Sequence, residues 1–64
     1  MTKPNIQQAK TLGTIAFASG INAPALDSAM MEMLKGRQVG DPRNIPEMKA
    51  WTRGWTEANL AANV

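Results

Sequence analysis

The groups of this chain best placed to do chemistry are cationic. Arg37 and Arg43 lie within the stretch GRQVGDPRNI (36–45), Lys35 precedes it, and Lys49 and Arg53 stand four residues apart in KAWTRGWTEANLA (49–61). Lys and Arg so disposed suit phosphate contact, which positions a nucleic acid electrostatically and involves no covalent step. Arg37, Arg43, Lys49 and Arg53 are therefore the leading nucleic-acid-binding candidates, with Lys10 and Lys35 as weaker ones. The plainer alternative is a solvated surface, on which Arg53 and Glu57 form an i,i+4 pair that contributes about a few tenths of a kcal/mol.

Other chemistry is excluded by composition. The chain has no cysteine and no histidine, so disulfides, thiolate metal sites, imidazole bases and triads built on them are impossible. The five carboxylates, Asp27, Glu32, Asp41, Glu47 and Glu57, are scattered along the sequence. No catalytic residue, metal site or cofactor is expected, and the protein is not expected to be an enzyme.

At 64 residues with a net charge of +2, the chain is expected to form a single domain over 1–64 with a mild basic bias. The start, MTKPNIQQAK, has no apolar core of signal-peptide length, and no run approaches a membrane span. A soluble, uncleaved, cytoplasmic protein is expected, with the lack of cysteine in keeping.

Three helices should position these groups, and no run alternates with period two as a strand would, so the fold class is all-α. The first helix is expected near 5–19, capped by Asn5 and stopped by Gly20, with Ile6, Ala9, Leu12 or Gly13, Ala16 and Phe17 inward. The second is expected near 28–35, with Asp27 as cap and Leu26 and Met31 as a hydrophobic staple, or alternatively with Pro24 as its first residue. Met30, Met31 and Leu34 are expected to face inward and Met33 outward. Residues 36–45 read as an irregular, mobile connection with turn chemistry at Gly40 to Pro42. The third helix is expected near 46–62, entered at Asn44 or Ile45, with Pro46 in its first turn, Glu47 placed to complete a capping box if Asn44 is the cap, and an apolar face of Met48, Trp51, Trp55, Ala58 and Ala62.

Trp51 and Trp55 share one face of that helix, and in so small a chain two indoles are the largest source of apolar burial. Gly54 between them and Gly13, four before Phe17, occupy helix interiors, where glycine costs about 1 kcal/mol relative to alanine. Packing of the first and third helices as an antiparallel pair would explain both, each glycine admitting an aromatic ring or the opposing backbone. Gly13, Phe17, Gly20, Trp51, Gly54 and Trp55 thus form the expected packing motif.

The signatures GTIAFASGINAPALD (13–27) and AWTRGWTEANLA (50–61) together resemble the ribosome modulation factor family of bacteria, through Gly13, Phe17, Gly20 and Pro24, then Trp51, Gly54, Trp55 and Ala58. The resemblance implies a short helical, non-enzymatic factor that binds the small ribosomal subunit near the 3′ end of its ribosomal RNA, blocks initiation and favours inactive ribosome dimers. This chain differs in beginning with only Lys3 and Lys10 as cations and in inserting residues 28–45 between the two signatures. The alternative expectation is a small protein-interaction module, such as a phage-encoded inhibitor of a host protein, using the methionine-rich helix and the end of helix three. Either function is compatible with a homodimer.

Overall fold

The structure, a computed structural model, describes residues 3–38 and 40–62. In chain order it contains α1 (Ile6–Ala18), a single 3-10 turn (Pro24–Leu26), α2 (Ser28–Leu34) and α3 (Asn44–Ala62), with no strand among the described residues. The all-α class and all three expected helices are present. Pro24, one expected start for the second helix, instead opens the separate 3-10 turn.

The helix ends follow from local chemistry. The α1 helix closes in a Schellman motif: the Gly20 N–H donates to the Phe17 carbonyl (3.1 Å) and the Ile21 N–H to the Ala16 carbonyl (2.9 Å). That geometry needs a left-handed residue, and Gly20 supplies it at φ +81°. Asp27 caps α2 as expected, Oδ1 accepting from the Ala29 N–H at 3.1 Å. At α1 the expected cap is differently made. Asn5 occupies the cap position without a side-chain capping bond, and the Glu47 carboxylate accepts the Asn5 N–H at 2.6 Å from across the fold. Glu47 therefore does not complete a capping box with Asn44, whose side-chain amide donates to the Gln38 carbonyl at 3.2 Å. The chain leading into α3 is turned instead by Asp41, which accepts the Arg43 N–H at 2.9 Å.

The α1 and α3 helices pack closely, and the packing corrects the expected direction. Contacts advance together along the two helices: Asn5 meets Glu47, Thr14 meets Gly54, and Phe17 meets Trp55. They therefore run in the same sense, not antiparallel. The segment that follows α1 makes this possible by running back along α3, so that both helices can start at the same end of the molecule.

The α1–α3 crossing is made by backbone. A methyl group at Gly13 would lie 1.9 Å from the Trp51 carbonyl oxygen, and one at Gly54 would lie 2.1 Å from that of Lys10. The contact is reciprocal, each glycine facing the carbonyl three residues before the other. Ala9 and Ala50, one turn earlier in each helix, are also buried, so the same Ala-x-x-x-Gly pattern occurs on both partners. Small residues let the backbones approach, and the dispersion attraction between them offsets the low helix propensity of glycine. The opposing backbone, rather than a ring, is what each glycine admits.

A second set of contacts ties the returning segment to α3. Glu47, Trp51 and Trp55, spaced by four, each bond one point of it. The Trp55 Nε1–H donates to the Ile21 carbonyl (2.7 Å), the Trp51 Nε1–H donates to Asp27 Oδ2 (2.8 Å), and the Arg37 guanidinium donates to both Glu47 oxygens. A turn over Leu34–Arg37, closed by the Arg37 N–H donating to the Leu34 carbonyl at 3.1 Å, brings Arg37 to Glu47. The connection over 36–45 is hydrogen-bonded at Arg37, Asp41, Arg43 and Asn44 among its described residues.

Burial follows these two sets of contacts. Trp51 is buried at 2% exposure, Met30 and Glu47 are fully buried, and Trp55 is half-buried with its ring edge-on to Phe17 at 5.4 Å. The buried face of α3 is therefore Glu47, Ala50, Trp51 and Gly54, turned away from the expected Met48, which is exposed. The expected staple is absent, since Leu26 and Met31 are both exposed. Met33, expected outside, packs against the core beside Leu34, while Met31 faces out because Asp27, rather than Leu26, is drawn inward to Trp51.

Candidate nucleic-acid interface

The cations divide by what they already hold. Arg37 lies against the buried Glu47, and its side chain is only 12% exposed. Burial by itself would raise the Glu47 carboxyl pKa, but bonds from Arg37 and the Asn5 N–H outweigh it and keep that value below the ordinary one. Arg43 clasps Asp41 through Nε and a terminal nitrogen (3.0 and 2.7 Å). The side-chain bonds from Arg43 hold the Asp41 carboxyl well below the usual carboxylate range, and Asp41 in turn raises the arginine. These two arginines are occupied in shaping the approach to α3.

The other cations face outward. Lys10 on α1 and Arg53 on α3 share one carboxylate, Glu57, at 3.2 and 3.1 Å. The Arg53–Glu57 pair is the expected i,i+4 pair. The bond from Arg53, followed by that from Lys10, lowers the Glu57 carboxyl pKa. Lys49 and Lys35 have no ion-pair partner among the described residues, and Lys35, at the end of α2, does not line the groove described below.

Lys10, Lys49 and Arg53 line one groove between the first half of α1 and the first half of α3. Its volume is about 430 Å³, and Ile6, Pro46 and Ala50 supply its apolar wall. Lys49 also borders a neighbouring apolar depression formed by Ile45, Met48 and Thr52. Lys10, Lys49 and Arg53 against Glu57 leave two positive charges on this face. Comparison with known proteins adds no relative. No protein-family model, curated protein or solved structure matches the chain.

The arrangement can bind anions, and no aromatic side chain lines the groove. Trp51 is buried, and Trp55 packs on Phe17 with its N–H already committed. Among the described residues no three acidic side chains come together as a metal site, and no helix is long and apolar enough to cross a membrane. Of the six candidate cations, three meet at the groove, two are held in internal pairs and one lies apart. The groove's apolar wall is hidden in the sequence because the spacing of Ile6 points it toward the core. Exposure of Ile6 follows from the close glycine crossing, which buries Ala9, Gly13 and Ala16 instead.

Proposed function

We propose that the protein is a non-enzymatic modulator that binds RNA of the small ribosomal subunit and damps translation, as its resemblance to the ribosome modulation factor family implies. The observation that carries this reading is the convergence of Lys10, Lys49 and Arg53 on one groove. With no aromatic side chain lining the groove, recognition rests on the sugar-phosphate backbone rather than on base stacking. Three phosphate contacts give a binding constant that falls about 20- to 40-fold between 50 and 200 mM salt. Co-sedimentation with small ribosomal subunits tests the reading: the protein moves into the subunit fractions at low salt and leaves them as salt rises. Its absence from those fractions at low salt contradicts it.

A protein partner is the second reading, favoured by the exposed Ile45 and Met48 beside Lys49. Retention of one protein in a pull-down after nuclease treatment would support it over the first.

A further inference from the structure

Glu57 bridges two of the cations that line the groove. Its carboxylate lies 3.2 Å from Lys10 Nζ on one helix and 3.1 Å from Arg53 Nε on the other, and both cations line the groove that Lys49 completes. A carboxylate held by two cations from different elements has the same charge-assisted bonding as a phosphate oxygen in that place. The pair is also weak enough to exchange. The Glu57 side chain is 49% exposed, Lys10 is 38% exposed and Arg53 is 75% exposed, so solvent screens the contact. The site contrasts with Arg37–Glu47, where the carboxylate is fully buried.

We propose that Glu57 is a built-in phosphate mimic: it occupies the position of one RNA phosphodiester between Lys10 and Arg53 and is displaced when RNA binds. The proposal rests on the RNA-binding reading above and adds a regulating residue to that site. Glu57 limits affinity, keeping the two cations oriented in the free protein while making binding an exchange of one anion for another. No bond is made or broken.

Glu57→Gln removes the competing charge at an exposed position and leaves the fold intact. Glu32→Gln changes net charge equally, at the one described carboxylate without an ion pair or side-chain hydrogen bond, on α2. Binding of a labelled fragment of small-subunit ribosomal RNA, and separately of an Asp- and Glu-rich peptide, is measured at low salt for wild type, both variants, and Glu57→Gln in a Lys10→Ala/Arg53→Ala background. Glu57→Gln binds about 3- to 10-fold more tightly than wild type, whereas Glu32→Gln stays within about twofold, because only the former frees the groove cations. The gain disappears in the Lys10→Ala/Arg53→Ala background. Wild-type binding with equal gains from both single variants would overturn the mimic and leave the RNA reading standing. No binding by wild type or Glu57→Gln would overturn both. A gain seen only with an Asp- and Glu-rich peptide, with RNA unchanged, would overturn the phosphate assignment in favour of a protein ligand.

Discussion

The two buried faces of α3 hold the molecule together by opposite means. Toward α1 it presents Ala50 and Gly54, and the contact is backbone against backbone, with Thr14 adding one hydroxyl bond to the Gly54 carbonyl at 3.3 Å. Toward the returning segment Glu47, Trp51 and Trp55 each make a directed polar bond, while Glu47 also accepts the Asn5 N–H and Trp55 packs on Phe17 of α1. The first face has no room to spare. The second fails if a partner is lost. A small chain without disulfides uses both, since about 3–5 kcal/mol is all that a core of this size ordinarily supplies.

The sharpest break in this contrast is a single added methyl. Gly54→Ala should favour an isolated helix by about 1 kcal/mol, yet here it drives a Cβ to 2.1 Å from the Lys10 carbonyl and forces the helices apart. A net loss of about 3 kcal/mol or more is expected from overpacking against backbone that cannot yield, seen as loss of the cooperative thermal transition by circular dichroism. Stability unchanged from wild type would show that the crossing is looser than this packing requires.

On the polar face, removing a partner should do nearly as much. Arg37→Ala leaves Glu47 buried with the Asn5 N–H as its remaining partner, at a cost of about 3 kcal/mol. Adding Glu47→Gln recovers part of it, since the amide oxygen still accepts from Asn5 without a buried charge. Glu47 also makes the fold acid-sensitive. Its carboxyl is held below the ordinary value in the folded protein, so its contribution is complete well above the unfolded value of about 4.3 and is lost as pH falls through the folded one. Urea unfolding at pH 6 and pH 3 should show a smaller pH dependence in the double variant than in wild type. Equal dependence would remove Glu47 as the source.

A milder test isolates the Asp27–Trp51 bond, the middle of the three contacts on the polar face. Asp27→Asn keeps an acceptor for the Ala29 N–H but turns an amide donor toward the Trp51 N–H, leaving that indole unpaired. About 1–2 kcal/mol is expected, read from denaturant unfolding together with a change in tryptophan emission. Wild-type stability would mean that the indole bond contributes little.

The sequence discloses these faces unequally. Helix positions, the packing role of the tryptophans and the close approach at Gly13 and Gly54 are legible because each leaves a periodic or propensity signal. Helix direction is not legible, since a glycine crossing looks the same from either sense and only the path of the chain between the helices decides it. Glu47 is hidden for a different reason. It lies four before Trp51, on the tryptophan face, but a charge there reads as surface until Arg37 is known to meet it. The groove is half visible: Lys49 and Arg53 are paired by spacing, while Lys10 joins them only through the parallel crossing.

On the RNA-binding reading proposed above, position and not charge alone decides which cations contact phosphate. The most direct test compares two charge-matched variants, Lys49→Ala in the groove and Arg43→Ala on the Asp41 clasp, for binding to small ribosomal subunits across a salt series. Lys49→Ala should weaken binding and flatten the dependence of log K on log salt by about 0.7–0.9, the value of one phosphate contact, while Arg43→Ala leaves both near wild type. Equal losses in the two variants, or a larger loss from Arg43→Ala, would contradict it.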